Sequence, residues 1–167
     1  NFLIKPNNSW NSSVQKNILM LLSEINQKTL VKPFKNYNKE NFSNYDLLLE
    51  SGLSISKAPL SNVILTHKFS VIIIDYPSTP VYEVLGTEAE IFLVEDPRIL
   101  YTEDARKLLL KRVHLFKDYE CLKQALFQYY DGTLNLKHNN EFQDKYVFKN
   151  DTCERMITSF NEILANN

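Results

Sequence analysis

The segment Asp75-Tyr76-Pro77-Ser78-Thr79-Pro80-Val81-Tyr82-Glu83 brings together residue types that suit a phosphate-bearing ligand. Thr79 reads as a helix N-cap and Pro80 as the first helical residue. A helix start leaves backbone N–H groups without intrahelical partners and carries a partial positive charge, and both favour an anion. The hydroxyls of Ser78 and Thr79 add donors, and Asp75 and Pro77 form the turn that delivers them. Glu83 falls about one turn into the helix. A carboxylate there can accept hydrogen bonds from two neighbouring sugar hydroxyls but would repel a phosphate, so its place is on a ribose. Residues 75–104 hold eight acidic residues and one basic residue, Arg98, so any anion site must be local. Arg98 near a strand end, and Lys5 at the end of the first strand, are further candidate diphosphate contacts. A plainer reading uses the same residues: Thr-Pro simply starts a helix, and Glu83 lies on a solvated face.

The elements that would position these groups alternate between strand and helix. Phe2–Lys5 is a short apolar run stopped by Pro6, and Leu30–Phe34 is a second strand candidate broken by Pro33. Between them Val14, Ile18, Leu21, Leu22 and Ile25 recur at helical spacing, with N-cap candidates in Ser9–Ser13. Residues 35–44 read as a loop, Tyr45–Glu50 as either helix or strand, and Leu53–Ile55 as a short strand. Pro59 opens a helix to about His67. Phe69–Ile74 is the strongest strand signal, a β-branched run without alternation, as expected of a central parallel strand buried on both faces. The Thr79 helix ends at Gly86, read as a C′ residue, and Glu90–Val94 follows as a strand, completing a βαβ unit. Thr102–Leu110 reads as a helix, Val113–Phe116 as a strand, and Asp118 caps a helix carrying Leu122, Ala125, Leu126 and Tyr129. A polar loop over 131–150 and a closing helix over Asp151–Leu164 complete the chain. This alternation predicts a single α/β domain over 1–167, an open, mainly parallel, Rossmann-like sheet flanked by helices. In such sheets ligands bind outside the carboxyl ends of the strands, where Asp75–Glu83 lies.

Composition removes several alternatives. There are three glycines, Gly52, Gly86 and Gly132, too far apart for a GxGxxG or Walker-type loop. The net charge of -1 lacks the basic excess of a nucleic-acid binder. Cys121 and Cys153 form no CxxC or zinc pattern, and a reducing cytosol is the expected compartment. No apolar run approaches the roughly 18 residues of a membrane span. No DxD, HExxH or Cys/His cluster points to a metal. His67 is expected at a helix end, His114 packed in a strand, and the basic stretch Arg106, Lys107, Lys111, Arg112 on a solvated helix face. Tyr129, Tyr130, Phe142, Tyr146 and Phe148 are expected to pack rather than form a stacking platform. The start at Asn1 followed at once by a strand suggests a piece of a longer protein.

The stretch from Val71 to Gly86, VIIIDYPSTPVYEVLG, resembles a pattern in the second, donor-binding domain of GT-B glycosyltransferases. The nearest likeness is to bacterial surface-carbohydrate and capsular polysaccharide transferases, with a more distant one to the glycerophosphotransferases of teichoic-acid-like polymers. Those proteins carry an apolar strand, then D-Y-x-S-T or a variant, then an acidic residue four or five positions on. Ile4-Lys5-Pro6-Asn7 stands where they often carry K-x-H-P, with Asn7 in place of the histidine, and Glu95-Asp96-Pro97 resembles their acidic-proline turn. The resemblance is specific over about 71–97 and extends in layout over most of 2–130. It implies that Ser78 and Thr79 bind the diphosphate of a nucleotide-sugar donor, that Glu83 binds its ribose, and that no metal or other cofactor is required. A saccharide acceptor would be the second substrate. The acceptor base would come from an N-terminal GT-B domain absent here, leaving this chain inactive alone. The implied location is the cytoplasm, peripheral at the inner face of the membrane. A sugar-nucleotide epimerase and a non-catalytic Rossmann-like binding domain are the alternatives.

Overall fold

A computed structural model describes residues 2–6, 12–25, 28–33, 37–40 and 42–147. Asn7, the N-cap candidates Ser9 and Asn11, Phe148, Cys153 and the closing helix over 151–164 lie outside the described residues. Six parallel strands form one sheet: β1 (Phe2–Lys5), β2 (Thr29–Val31), β3 (Ser54–Ile55), β4 (Val71–Ile74), β5 (Glu90–Val94) and β6 (Val113–Phe116). Their order is β3-β2-β1-β4-β5-β6, with every neighbouring pair parallel. This is the doubly wound order of Rossmann-like sheets, with its topological switch between β1 and β4.

Parallel strands need helical crossovers, and the helices cover both faces. On one face lie α1 (Ser12–Glu24), α2 (Tyr45–Glu50) and α6 (Tyr119–Asp131). There Ile18, Leu22, Leu48 and Leu126 pack on Ile4, Val31, Ile73 and Phe92. On the other lie α3 (Leu60–Thr66), α4 (Thr79–Val84), α5 (Glu103–Leu109) and α7 (Glu141–Tyr146). There Val63, Val84, Leu109 and Phe142 pack on Leu3, Ile72, Ile74 and Ile91. The central strand Val71–Ile74 is wholly buried, as its unbroken apolar run requires. Its partner β5 is buried along its whole length even though it begins with a glutamate.

Several local expectations are corrected. Ser78, not Thr79, occupies the N-cap of α4, and Pro80 is therefore the second helical residue. The helix ends at Val84 with Leu85 as C-cap, so Gly86 stands at C′ as read, though without a positive φ. Gly86 also passes close to α7: a Cβ there would come within 3.1 Å of Gln143 Nε2. The left-handed cap is Gly132, at φ 76°, which ends α6. The segment read as a polar loop over 131–150 contains α7, whose Phe142 is buried. Tyr45–Glu50 resolves as helix. His67 caps the end of α3, its Nδ1 3.2 Å from the Val63 carbonyl oxygen.

Arg112 departs most from the reading of a solvated basic face. It is 2% exposed. Its guanidinium donates to the carbonyl oxygens of Leu85, Thr87, Ala89 and Lys137 at 2.6–3.1 Å. The planar fork thus ties the connection between α4 and β5 to the segment before α7. Beside it, the buried Glu90 carboxylate faces His114 Nε2 at 2.7 Å and His138 Nε2 at 3.1 Å, and accepts from the Lys137 backbone N–H. Burial alone would raise the Glu90 pKa, but the hydrogen bonds from His114 and Lys137 outweigh it and hold the pKa below its ordinary value. Both groups fasten the amino edge of the sheet, opposite the edge where ligands bind. Replacing Arg112 by Met should cost about 3 kcal/mol, because buried carbonyls lose charged donors while an apolar stem remains. Arg112→Lys should recover only part, since an ammonium has three donors and no fork. Urea denaturation of the three proteins checks this.

Candidate functional site

The crevice between the carboxyl ends of β1 and β4 is built from residues on five elements. Strand β1 ends in Lys5-Pro6 and β2 in Val31-Lys32-Pro33, so the two strands terminate in the same dipeptide, Lys-Pro. Each proline removes a backbone donor and ends its strand. Ile4 pairs in register with Val31, and the Lys32 backbone N–H donates to the Ile4 carbonyl at 2.8 Å. Lys5 and Lys32 are therefore neighbours at adjacent strand ends. Alternation along each strand sets both on the face of Leu3 and Leu30, the side covered by α3 and α4. Lys32 is 6% exposed and Lys5 half-buried. Each ammonium donates to the carbonyl oxygen of its own following proline, Lys5 at 3.2 Å and Lys32 at 2.6 Å.

The opposite face holds a chain of polar side chains. Asp75, the first residue after β4, is 1% exposed and accepts from Gln15 Nε2 of α1 at 2.6 Å. Asn44 Nδ2 donates to Gln15 Oε1 at 3.3 Å and to the Ser12 carbonyl at 2.9 Å. The amides of α1 and of the turn before α2 thus hold the Asp75 carboxylate at the crevice without neutralising it.

Electrostatically, two cations, Lys5 and Lys32, interact through space with two carboxylates, Asp75 and Glu83. Burial lowers the pKa of Lys5; the neighbouring Lys32 lowers it further, while Asp75 and Glu83 raise it in part. Burial also lowers the pKa of Lys32, again offset in part by Glu83. Glu83 is exposed on α4 and also lines a separate cavity of about 510 Å³ between α3 and α4, towards the amino ends of β4 and β5. It acts on both lysines through space.

The remaining sequence candidates are placed as follows. Ser78 is partly exposed at the start of α4, its hydroxyl making no capping bond, and the Thr79 side chain is exposed. A helix of six residues has little dipole to offer, so its start is a source of donors rather than of charge. Pro77 is buried and, with Ser78, Tyr82, Ile99 and Tyr101, lines a cavity of about 60 Å³, large enough for water and too small for a nucleotide. Burial pushes the Tyr101 hydroxyl pKa up to about 12, so it stays a neutral donor. Arg98 follows β5 and grips Asp96, which is fully buried, through Nε at 3.1 and 3.2 Å and Nη2 at 2.8 Å. The Arg98 backbone N–H also reaches that carboxylate, at 2.9 Å. These bonds hold Asp96 below the usual carboxylate range and tie the Asp96-Pro97-Arg98 turn together after β5. Arg98 keeps an exposed flank there.

No protein-family model matches the chain, and no curated protein or solved structure is significantly similar to it. The site is therefore read from its own geometry. Asp75 and Glu83 each act on Lys5 through space, whereas Ser78 lies by the small cavity beside Ile99 and Tyr101, and Arg98 holds Asp96. Sequence reasoning missed Lys32, Gln15 and Asn44. A signal for Lys32 was present in the repeated Lys-Pro at two strand ends; Gln15 and Asn44 had none, because their role depends on α1 and α2 meeting Asp75. Among the described residues no group of three or more His, Cys, Asp or Glu side chains is arranged to hold a metal ion.

The lysine pair should cost stability. A lysine whose folded pKa is lowered penalises the fold wherever it is charged, and the penalty fades as pH rises from that lowered value towards 10.5. Lys32→Met should therefore hold or raise the melting temperature at pH 7, and its advantage should shrink by pH 10. Melting curves at the two pH values check both statements.

Proposed function

We propose that the chain is the donor-binding domain of a metal-independent GT-B-type glycosyltransferase, holding a nucleotide-activated sugar for transfer to a saccharide acceptor. The observation that carries this reading is the position of the buried lysines, at the carboxyl ends of the strands beside the switch point of a doubly wound parallel sheet. Nucleotides bind such sheets at this place, and cations withdrawn from water without a salt bridge to a described residue favour an anion there. The likeness of Val71–Gly86 to the donor domain of those enzymes supports the sugar-transfer class.

In this reading the nucleotide lies along the carboxyl edge of β1 and β4. The lysines take up negative charge on its phosphates, and the Ser78 hydroxyl with the N–H groups of the α4 start adds hydrogen bonds. Glu83 accepts from ribose hydroxyls, and Arg98 reaches towards the leaving phosphate. Charge developing on that phosphate as the glycosidic bond breaks is stabilised by fixed cations, which would supply the main catalytic effect of this half of the enzyme. The base that activates the acceptor belongs to a second domain.

A thermal-shift screen against UDP-, GDP-, CDP- and CMP-linked sugars tests the proposal. A ligand at 100 times its dissociation constant stabilises the fold by about 2.7 kcal/mol, a shift of several degrees for a domain of this size. At least one nucleotide class should produce it. Silence from all four at millimolar concentration would remove the donor-site reading.

A further inference from the structure

The two Lys-Pro strand ends carry an assignment finer than nucleotide binding. We propose that Lys32 and Lys5 form a two-cation receptor across the ends of β1 and β2, that it holds a phosphoryl group bearing two or more negative charges, and that the anion is anchored there rather than at the Ser78–Thr79 helix start. The inference rests on the donor-site reading only in taking that phosphoryl group to belong to a nucleotide.

Three observations converge on it. The first is register: Ile4 opposite Val31 puts the two lysines side by side on one face of the sheet, at the edge where ligands enter. The second is burial without ionic partners. Lys32 is 6% exposed, and neither lysine forms a salt bridge with a described residue. Each of the two ammonium groups has three donors, and its one acceptor among the described residues is the next proline carbonyl. Two like charges held together in this way are costly, and an anion between them removes both the repulsion and the unsatisfied donors. The third is the counter-charge. Asp75, engaged by Gln15, acts on Lys5, and Glu83 acts on both lysines, but only through space: neither carboxylate forms a salt bridge with Lys5 or Lys32. By contrast α4 is six residues long, and its Thr79 side chain is exposed.

The charge of the pair also predicts the ligand's dependence on pH. Because burial lowers the pKa of both lysines, and Lys32 lowers that of Lys5 further, they lose their protons at lower pH than exposed lysines do. Anion affinity should therefore fall on the alkaline side earlier than it would at a surface site. An arginine at position 32 stays charged and should flatten that fall.

The test measures dissociation constants for inorganic phosphate, inorganic pyrophosphate and the nucleotide-linked sugars, on the unaltered chain and on Lys5→Met, Lys32→Met, Lys32→Arg and the Ser78→Ala/Thr79→Ala pair. Pyrophosphate should bind more tightly than phosphate. Either methionine variant should weaken pyrophosphate and nucleotide by about tenfold or more, the loss of one charged hydrogen bond. Lys32→Arg should retain binding with a flatter pH profile, and this arm holds even if a methionine variant fails to fold. The Ser78/Thr79 pair should weaken binding less than Lys32→Met. Nucleotide binding that survives Lys32→Met unchanged, or that is lost mainly in the Ser78/Thr79 pair, would overturn this inference while leaving the donor-site reading in place. Pyrophosphate binding lost in Lys32→Met, with no nucleotide bound by any form, would uphold the lysine receptor and remove the donor-site reading. No binding of any anion would overturn both.

Discussion

Strand Val71–Ile74 has no polar side chain, and its burial on both faces is the constraint from which the molecule's layout follows. Four apolar residues in the middle of a parallel sheet can be covered only by helices on each side. The chain therefore has to cross over between strands, winding α1 and α2 to one face on the way out to β3 and returning through α3 to start again beside β1. That reversal creates a crevice at the carboxyl ends of β1 and β4, where the last residues of the strands meet no further sheet. Hydrophobic burial shapes the site before any residue chemistry is considered.

What fills the crevice runs against the economy of folding. Apolar side chains at Lys5 and Lys32 would remove like-charge repulsion from a half-buried position, and the fold has no evident need of their ammonium groups. Asp75 is likewise buried, and Gln15, itself held by Asn44, donates to it. The opposite edge of the sheet shows what structural charge looks like in this protein: Arg112 is satisfied by four carbonyls, and Glu90 by two histidines and a backbone N–H. Lys5 and Lys32 differ from these groups in having one proline carbonyl each as acceptor among the described residues and no salt bridge with a described residue. Positions that cost stability and lie where ligands bind are those at which function outweighs packing.

Much of the scaffold was readable from the chain alone because its signals are local. The unbroken apolar runs at Val71 and Glu90, the Asp118 cap and the stripe of α1 each reflect one element's own periodicity or end chemistry. Errors appeared where neighbours decide. Arg112 looked like part of a solvated basic stretch until the carbonyls of residues 85–89 closed round it. Gly86 takes its place after the helix end, but what its missing side chain leaves room for is Gln143 of a helix far along the chain. Phe142 sat in a segment read as a polar loop, and its buried ring anchors α7. The site divides in the same way: Lys5, Asp75 and Ser78 follow from strand and helix ends, whereas Gln15 and Asn44 enter only when α1 and α2 are packed against β4. Lys32 lies between these cases, since its Lys-Pro echo of the first strand becomes meaningful once β1 and β2 are known to be adjacent and parallel.

Lys5 and Lys32, neighbours at the carboxyl edge of the sheet, are proposed to hold an anion between them. The most direct measurement follows the 13Cε resonances of Lys5 and Lys32 by NMR through a pH titration, with and without pyrophosphate. The account requires both to titrate below the exposed lysines of the same protein, and both to move upward when the anion binds, with proton uptake near neutral to alkaline pH. Two resonances that titrate with the exposed lysines and ignore the anion would contradict it.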